Sequence, residues 1–183
     1  MTTAESSARP TGRDEVVEAA IVAAADQLVA IGPARMTVRT VAEAAEVNHA
    51  LIHRHLETKE RLIASALDRL VTESFAEVEA GTGDRLKLED YPRVRRYALA
   101  LARCLLDEPT LVAGQSGFPV LQKLIDSDVE LGSDPEVAAA KCVAWLCAVF
   151  GAEVFGQHLS RAAGIDVDGA GGPLDVIQSA LGR

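Results

Sequence analysis

The tightest constraint on this chain lies between Thr37 and Lys59, in TVRTVAEAAEVNHALIHRHLETK, where apolar residues return at helical spacing on both sides of one break. Val38, Val41, Ala42 and Ala45 precede the break at Glu46 and Val47, and Leu51, Ile52 and Leu56 follow it. That periodicity predicts two short helices sharing one small core. Thr37 and Asn48 stand where a side-chain oxygen can accept from an unpaired first-turn amide, so each predicts a helix start. The second helix would then expose His49, His53 and Arg54. This is a helix-turn-helix pattern, in which the first helix braces the second against a major groove.

The segments on either side are also helical in pattern. Asp14 is the expected cap of a preceding helix with Glu15 and Glu18 at its positive end and Val17, Ile21, Ala24, Leu28 and Ile31 as its stripe. Gly32 and Pro33 end it, the one admitting a left-handed turn and the other unable to continue a helix. Thr58 predicts the cap of a fourth helix with Leu62, Ile63, Ala66, Leu67, Leu70, Val71, Phe75 and Val78 inward, ended by Gly81 and Gly83. Aromatic residues make up only 4% of the chain, while alanine and leucine abound, which favours packed helices over a sheet. The predicted fold class is all-α.

From Val16 to Leu62 the residues resemble the DNA-binding domain of the TetR (tetracycline repressor-like) family. The likeness rests on the alanine-rich first helix, on Thr37, Val38, Val41, Ala42, Ala45 and Val47, and on the closing RHLETKERL. Three positions depart from the family pattern: Glu46 replaces a turn glycine, His53 a tyrosine and Leu56 a phenylalanine. A left-handed Glu46 costs on the order of 1 kcal/mol, which a packed domain tolerates. His53 lacks the tyrosine hydroxyl, but an imidazole donates a similar hydrogen bond and becomes charged as pH falls toward about 6.5, which predicts pH-sensitive DNA affinity.

The resemblance, taken with groove geometry, assigns Thr37, Asn48, His53, His55 and Lys59 to the sugar-phosphate backbone, and Arg39, His49, Ala50 and Leu51 to bases or their flanking phosphates. Ala50 and Leu51 offer only apolar contact to a thymine methyl, whereas Arg39 and His49 can reach guanine acceptors. Two other readings of the histidines stay open. They form a solvated helix face, or His49, His53 and Glu57, at i, i+4 and i+8, face a metal, although no fourth ligand stands nearby.

Beyond the fourth helix, Pro92 opens a helix running to about Leu106 with Val94, Tyr97, Ala98, Leu101 and Leu105 inward, and Pro109 closes it. The uncharged TLVAGQSG that follows either borders a cavity or is a buried connector. Pro119 opens a helix carrying Val120, Leu121, Leu124, Ile125 and Val129. Asp134 and Pro135 start the longest helix, whose run CVAWLCAVFGA between Lys141 and Glu153 is apolar on all sides. A membrane span would need ~20 such residues. One face in the core and the other against a second subunit accounts for the run, with Gly151, Ala152 and Gly156 allowing close approach, so a homodimer is expected and no membrane. GIDVDGAGGP reads as a connection: no strand precedes it for a dinucleotide, and Ile177 stands where a calcium loop needs glutamate. Pro173 opens a last helix with Leu174, Ile177 and Leu181.

Residues 1–13 form a predicted disordered arm, 14–60 the three-helix DNA-binding domain and 61–183 a helical effector-binding and dimerisation domain. MTTAESSARPTGR has no apolar run, which argues against a signal peptide. The three cysteines, Cys104, Cys142 and Cys147, lie in apolar helical stretches without CxxC spacing, so neither a disulfide frame nor a zinc site is expected, and the cytoplasm suits them. The net charge is −9, yet Arg35 to Leu62 carries five cations against four anions, as suits an acidic body with a small face for DNA. Ser116 has no histidine near it in sequence and His158 no acid, so no enzyme and no cofactor are expected.

These readings converge on a dimeric regulator, a repressor, that binds a palindromic operator and releases it when a small molecule fills the C-terminal domain. By the same resemblance that effector would lie among Tyr97, Cys104, Phe118, Leu121, Leu124, Cys142, Trp145 and Phe150, whose scarcity of charge implies an apolar compound. The rival reading, kept open by the three departures and the acidic charge, is a helical dimer that has lost DNA binding and acts through a ligand or protein partner.

Overall fold

The computed structural model describes residues 12–80, 91–112 and 119–164. All regular structure among the described residues is helical: α1 (Arg13–Ile31), α2 (Val38–Ala44), α3 (His49–Leu56), α4 (Lys59–Ala80), α5 (Pro92–Asp107), a short 3-10 turn (Pro109–Val112), α6 (Pro119–Glu130) and α7 (Pro135–Ala162). The expected arm before Gly12, the stop at Gly81 and Gly83, Phe118, the glycine-rich connection and the helix from Pro173 lie outside the described residues. The chain divides into two compact units, the first ending within α4 at Arg69 and regaining the chain at Arg103 within α5.

In the first unit, α1 begins at Arg13 and its cap is Gly12 rather than Asp14. The Gly12 amide is satisfied by Glu15 Oε2 at 3.2 Å, so the carboxylate expected to favour the helix dipole bonds the first amide directly. Arg13, expected in the arm, is therefore helical. The buried residues are Val16, Ala20, Ala23, Ala24, Ala25 and Leu28: Ala24 and Leu28 are inward as expected, whereas Val16 and Ala20 take the places expected of Val17 and Ile21, and Ile31 is exposed. Alanines let the neighbouring helices lie close, so the narrow Ala face is the one buried while Val17 and Ile21 sit at its edges. Gly32 ends the helix at φ 76°, with its amide bonded to Gln27 O and Leu28 O.

α2 and α3 pack on α1 and on each other, burying Val41, Ala42, Ile52 and Leu56. The first turns of α4 close this core with Leu62, Ile63, Ala66 and Leu67. Thr58 caps α4 as expected, its hydroxyl accepting from Arg61 N at 3.1 Å. Arg69 ties α4 to α1 through Glu18.

In the second unit, Glu77 Oε2 accepts from the amides of Arg93 and Val94 at 2.8 and 3.0 Å, capping α5 from the preceding helix. Along α5 as a whole the buried row is Val94, Tyr97, Ala98, Ala100 and Cys104, and Leu105, expected inward, is exposed because Cys104 takes that turn's inward place. Trp145 and Phe150 of α7 pack against Tyr91 and Val94. Asp134 caps α7, accepting from Glu136 and Val137 amides at 3.0 and 3.3 Å. α7 packs on α6 and buries Ala138 and Leu146, but leaves apolar groups uncovered: Phe155 is 53% and Leu159 61% exposed, and Val143 is also exposed. By length and composition alone, Pro135–Ala152 would pass for a membrane span, although it carries Glu136 and Lys141.

Candidate nucleic-acid interface

The helix-turn-helix is held from both ends. At the start of α2, Thr37 and Thr40 cap each other: each amide donates to the other's hydroxyl oxygen at 3.1 Å. The Thr40 hydroxyl donates to Gln27 Oε1 at 2.8 Å, and Gln27 Nε2 donates to Thr40 O at 2.9 Å. This two-way bond fixes the entry of α2 to the side of α1. Neither Gln27 nor Thr40 was apparent in the sequence pattern, because a polar pair thirteen residues apart carries no periodic signal.

Asn48 caps α3 as expected, its Oδ1 accepting from Ala50 N at 2.9 Å. Glu46 in the preceding turn is left-handed, φ 55°. With Ile52 and Leu56 buried, α3 turns His49, Ala50, His53 and Arg54 to solvent, while Leu51 and His55 are half-buried along one edge. His49 and His53 stand edge to face with ring centroids 6.4 Å apart. Arg39, on the outer side of α2, pairs with Glu43 at 3.0 Å. Both partners are exposed, and such pairs are worth ~0–1 kcal/mol, so Arg39 can exchange its carboxylate for a phosphate or base at little cost.

Between α3 and α4, Glu57 adopts φ 62° and ψ −59°, and Thr58 N donates to Leu56 O at 2.6 Å. Those values describe a γ-turn of positive φ, a strained conformation for a residue with a Cβ. The Glu57 carboxylate is turned onward to Arg61, at 2.9 Å.

Lys59, expected at the DNA backbone, is half-buried, and its ammonium donates to Pro33 O at 2.7 Å. It therefore clamps the turn after α1, with two further protons left for a phosphate. The last turn of α5 grips the same turn. Arg103 Nη1 donates to Val29 O and, at 3.4 Å, to Leu28 O, and Asp107 Oδ2 accepts from Ala34 N at 3.3 Å. A Cβ added to Gly32 would stand 3.4 Å from Arg103 Cδ, an ordinary contact, so it is the positive φ that calls for glycine here. Arg103 and Asp107 were missed in the sequence, their partners being backbone groups more than seventy residues away.

Of the expected effector-pocket residues, Tyr97 and Leu124 are buried, and Leu121, Cys142, Trp145 and Phe150 are half-buried in the second unit. Cys104 is in the first unit instead. Burial, and then the charge of Asp107, push its thiol up to about 11.

Comparison with known proteins agrees with this architecture. The profile described as "Bacterial regulatory proteins, tetR family" matches residues 20–66. The HTH-type transcriptional repressor Rv3405c of Mycobacterium tuberculosis is 35% identical over 162 residues, covering 86% of this chain and 82% of the relative. The HTH-type transcriptional regulator Mb3439c of Mycobacterium bovis shows the same identity and coverage. Among solved structures, one described as a TetR-family transcriptional regulator from Rhodococcus sp. superposes with a TM-score of 0.65 at 20% identity, covering 92% of this chain and 97% of that one.

Proposed function

The chain belongs to the TetR family of bacterial transcriptional regulators, and from that premise we propose that it is a homodimeric repressor of a palindromic operator, released by a small apolar effector. The observation that carries the reading is the outer arc of α3. Its apolar residues are spent on α1 and α2, and the rest of the helix offers solvent His49, Ala50, His53 and Arg54. A helix so exposed and so braced fits the major groove, where its first residues meet base edges. Arg39, His49, Ala50 and Leu51 then face bases or their flanking phosphates, and Thr37, Asn48, His53, His55 and Lys59 hold the backbone. Such a protein works where the chromosome is, in the cytoplasm.

The uncovered face of α7 supports the dimer. Val143, Cys147, Phe155 and Leu159 are exposed at multiples of four residues, with Gly151 between them. That spacing is a ridge of the kind that packs into the groove of a facing helix. Two-fold symmetry then demands half-sites about one helical turn apart, ~34 Å between recognition helices. An effector in the second unit, against Leu121, Cys142, Trp145 and Phe150, would act by favouring a spacing that misses successive grooves, to the extent that it binds that conformation better.

The test is selection of duplex DNA from a random pool by the full-length protein, paired with sedimentation to fix its assembly state. An enriched palindrome bound by a dimer is expected. Selection without any enriched sequence, or a monomer that binds as tightly, would overturn the proposal.

A further inference from the structure

Arg54 lies in the middle row of the exposed arc of α3, one turn after Ala50, with His49 and His53 along one side and the half-buried Leu51 and His55 along the other. Among the described residues its guanidinium makes no hydrogen bond or ion pair. Its natural partner would be Glu57, three residues on. The γ-turn carries that carboxylate to Arg61 instead, at 2.9 Å. Arg39 of α2, the arginine expected at DNA, pairs with Glu43 in an exposed bridge that it can exchange at little cost. The fold thus leaves one arginine of the recognition helix without a protein partner.

Helical side chains lean toward the helix N-terminus, so Arg54 extends over Ala50, whose Cα lies about one 5.4 Å turn away. Ala50 supplies only a methyl group and leaves the space in front of it open. A middle-row side chain enters the groove deepest, while the flanking rows meet its walls. On these grounds we propose that Arg54 is the specificity-determining residue of the α3 face, its guanidinium donating two hydrogen bonds to O6 and N7 of one guanine in each half-site. The proposal rests on the operator-binding reading above, and makes Ala50 the residue that gives the arginine room.

Selection from a random duplex pool is run in parallel with the full-length wild type and Arg54→Ala, an exposed helical substitution to a strong helix former. The wild type should enrich a guanine at one position of each half-site. Arg54→Ala should lose preference at that position alone and bind the wild-type operator roughly 5- to 150-fold more weakly per half-site. The dependence of affinity on salt should be unchanged, because no counterion-releasing phosphate contact is lost. Weakening that is equal for all sequences, with a salt slope shallower by about 1 per half-site, would overturn the assignment in favour of a phosphate contact. An identical motif from both proteins would overturn it as well. If the wild type itself selects nothing, the operator reading fails together with the Arg54 role, a result distinct from the other two.

Discussion

Arg103→Met isolates the grip of α5 on α1, because methionine keeps an apolar stem of similar length and removes the donors. The last four carbonyls of a helix lack intrahelical partners. At the end of α1, Leu28 O is served by the Gly32 amide, whereas Val29 O receives Arg103. A hydrogen bond from a charged donor contributes ~1.5–3 kcal/mol net, and a cation at a helix C-terminus a further ~0.3–1 kcal/mol. Arg103 is only half-buried, and ordering its side chain costs up to ~2 kcal/mol, so the lower end applies. Arg103→Met should therefore lower stability by about 1–2 kcal/mol, or roughly 3–6 °C in Tm for a chain of this size. Urea unfolding followed by far-UV circular dichroism measures it, at one fixed protein concentration because a dimer's stability depends on that concentration. Arg103→Ala should cost somewhat more, by the packing of the stem. If Arg103→Met is as stable as the wild type while Arg103→Ala is not, the stem matters and the carbonyl bonds do not, and the argument fails.

Four further outcomes are expected. Glu46→Gly should raise stability by about 0.5–1 kcal/mol, since relief of the left-handed φ outweighs the entropy glycine adds to the unfolded chain; a loss in thermal unfolding would show that the turn is not strained. Lys59→Ala should weaken binding to every duplex alike and also cost about 1 kcal/mol through the lost bond to Pro33 O, so a sequence-selective effect in gel-shift titrations would refute the backbone role. The Cys104 thiol is raised from 9.0 to about 11, so the folded state holds its proton more tightly; its contribution is complete below pH 9 and is lost as pH climbs toward 11, and Cys104→Ala should flatten that part of the stability profile. Replacing Phe155 and Leu159 together by glutamate should leave the helical content intact and shift sedimentation toward monomer; an undisturbed dimer would place the interface elsewhere.

What the sequence made legible was what repeats or what caps. The apolar residues of α2 and α3 recur at helical spacing, and Thr37, Asn48, Thr58 and Asp134 each close a helix start through a bond spanning two or three residues, so all were readable in order along the chain. Errors of one residue arose where periodicity was ambiguous. In α1, Ala24 and Leu28 are inward as expected, but nearer its start the expectation fell on Val17 and Ile21 while the neighbouring Val16 and Ala20 are buried. On α5 the choice between Cys104 and Leu105 went the same way, since leucine is the more apolar but position 104 continues the row through Tyr97 and Ala100.

The groups that position the site were hidden for a different reason. Gln27 meets Thr40 thirteen residues away, and Arg103 and Asp107 meet α1 and its following turn from more than seventy residues away, mostly through backbone atoms that every residue possesses. A backbone partner leaves no residue type to recognise, so such a contact can be found only once the fold is known. Lys59 shows the consequence. The pattern places it at the entrance of α4, and the resemblance assigns it to a phosphate, but its ammonium also holds Pro33 O. One turn, from Val29 to Ala34, is thus held by Lys59 of α4 and by Arg103 and Asp107 of α5. A shift of either helix would move the end of α1, and with it Gln27, which holds α2. Residues of both α4 and α5 therefore bear on the turn that ends α1, the helix whose Gln27 holds the entry of α2.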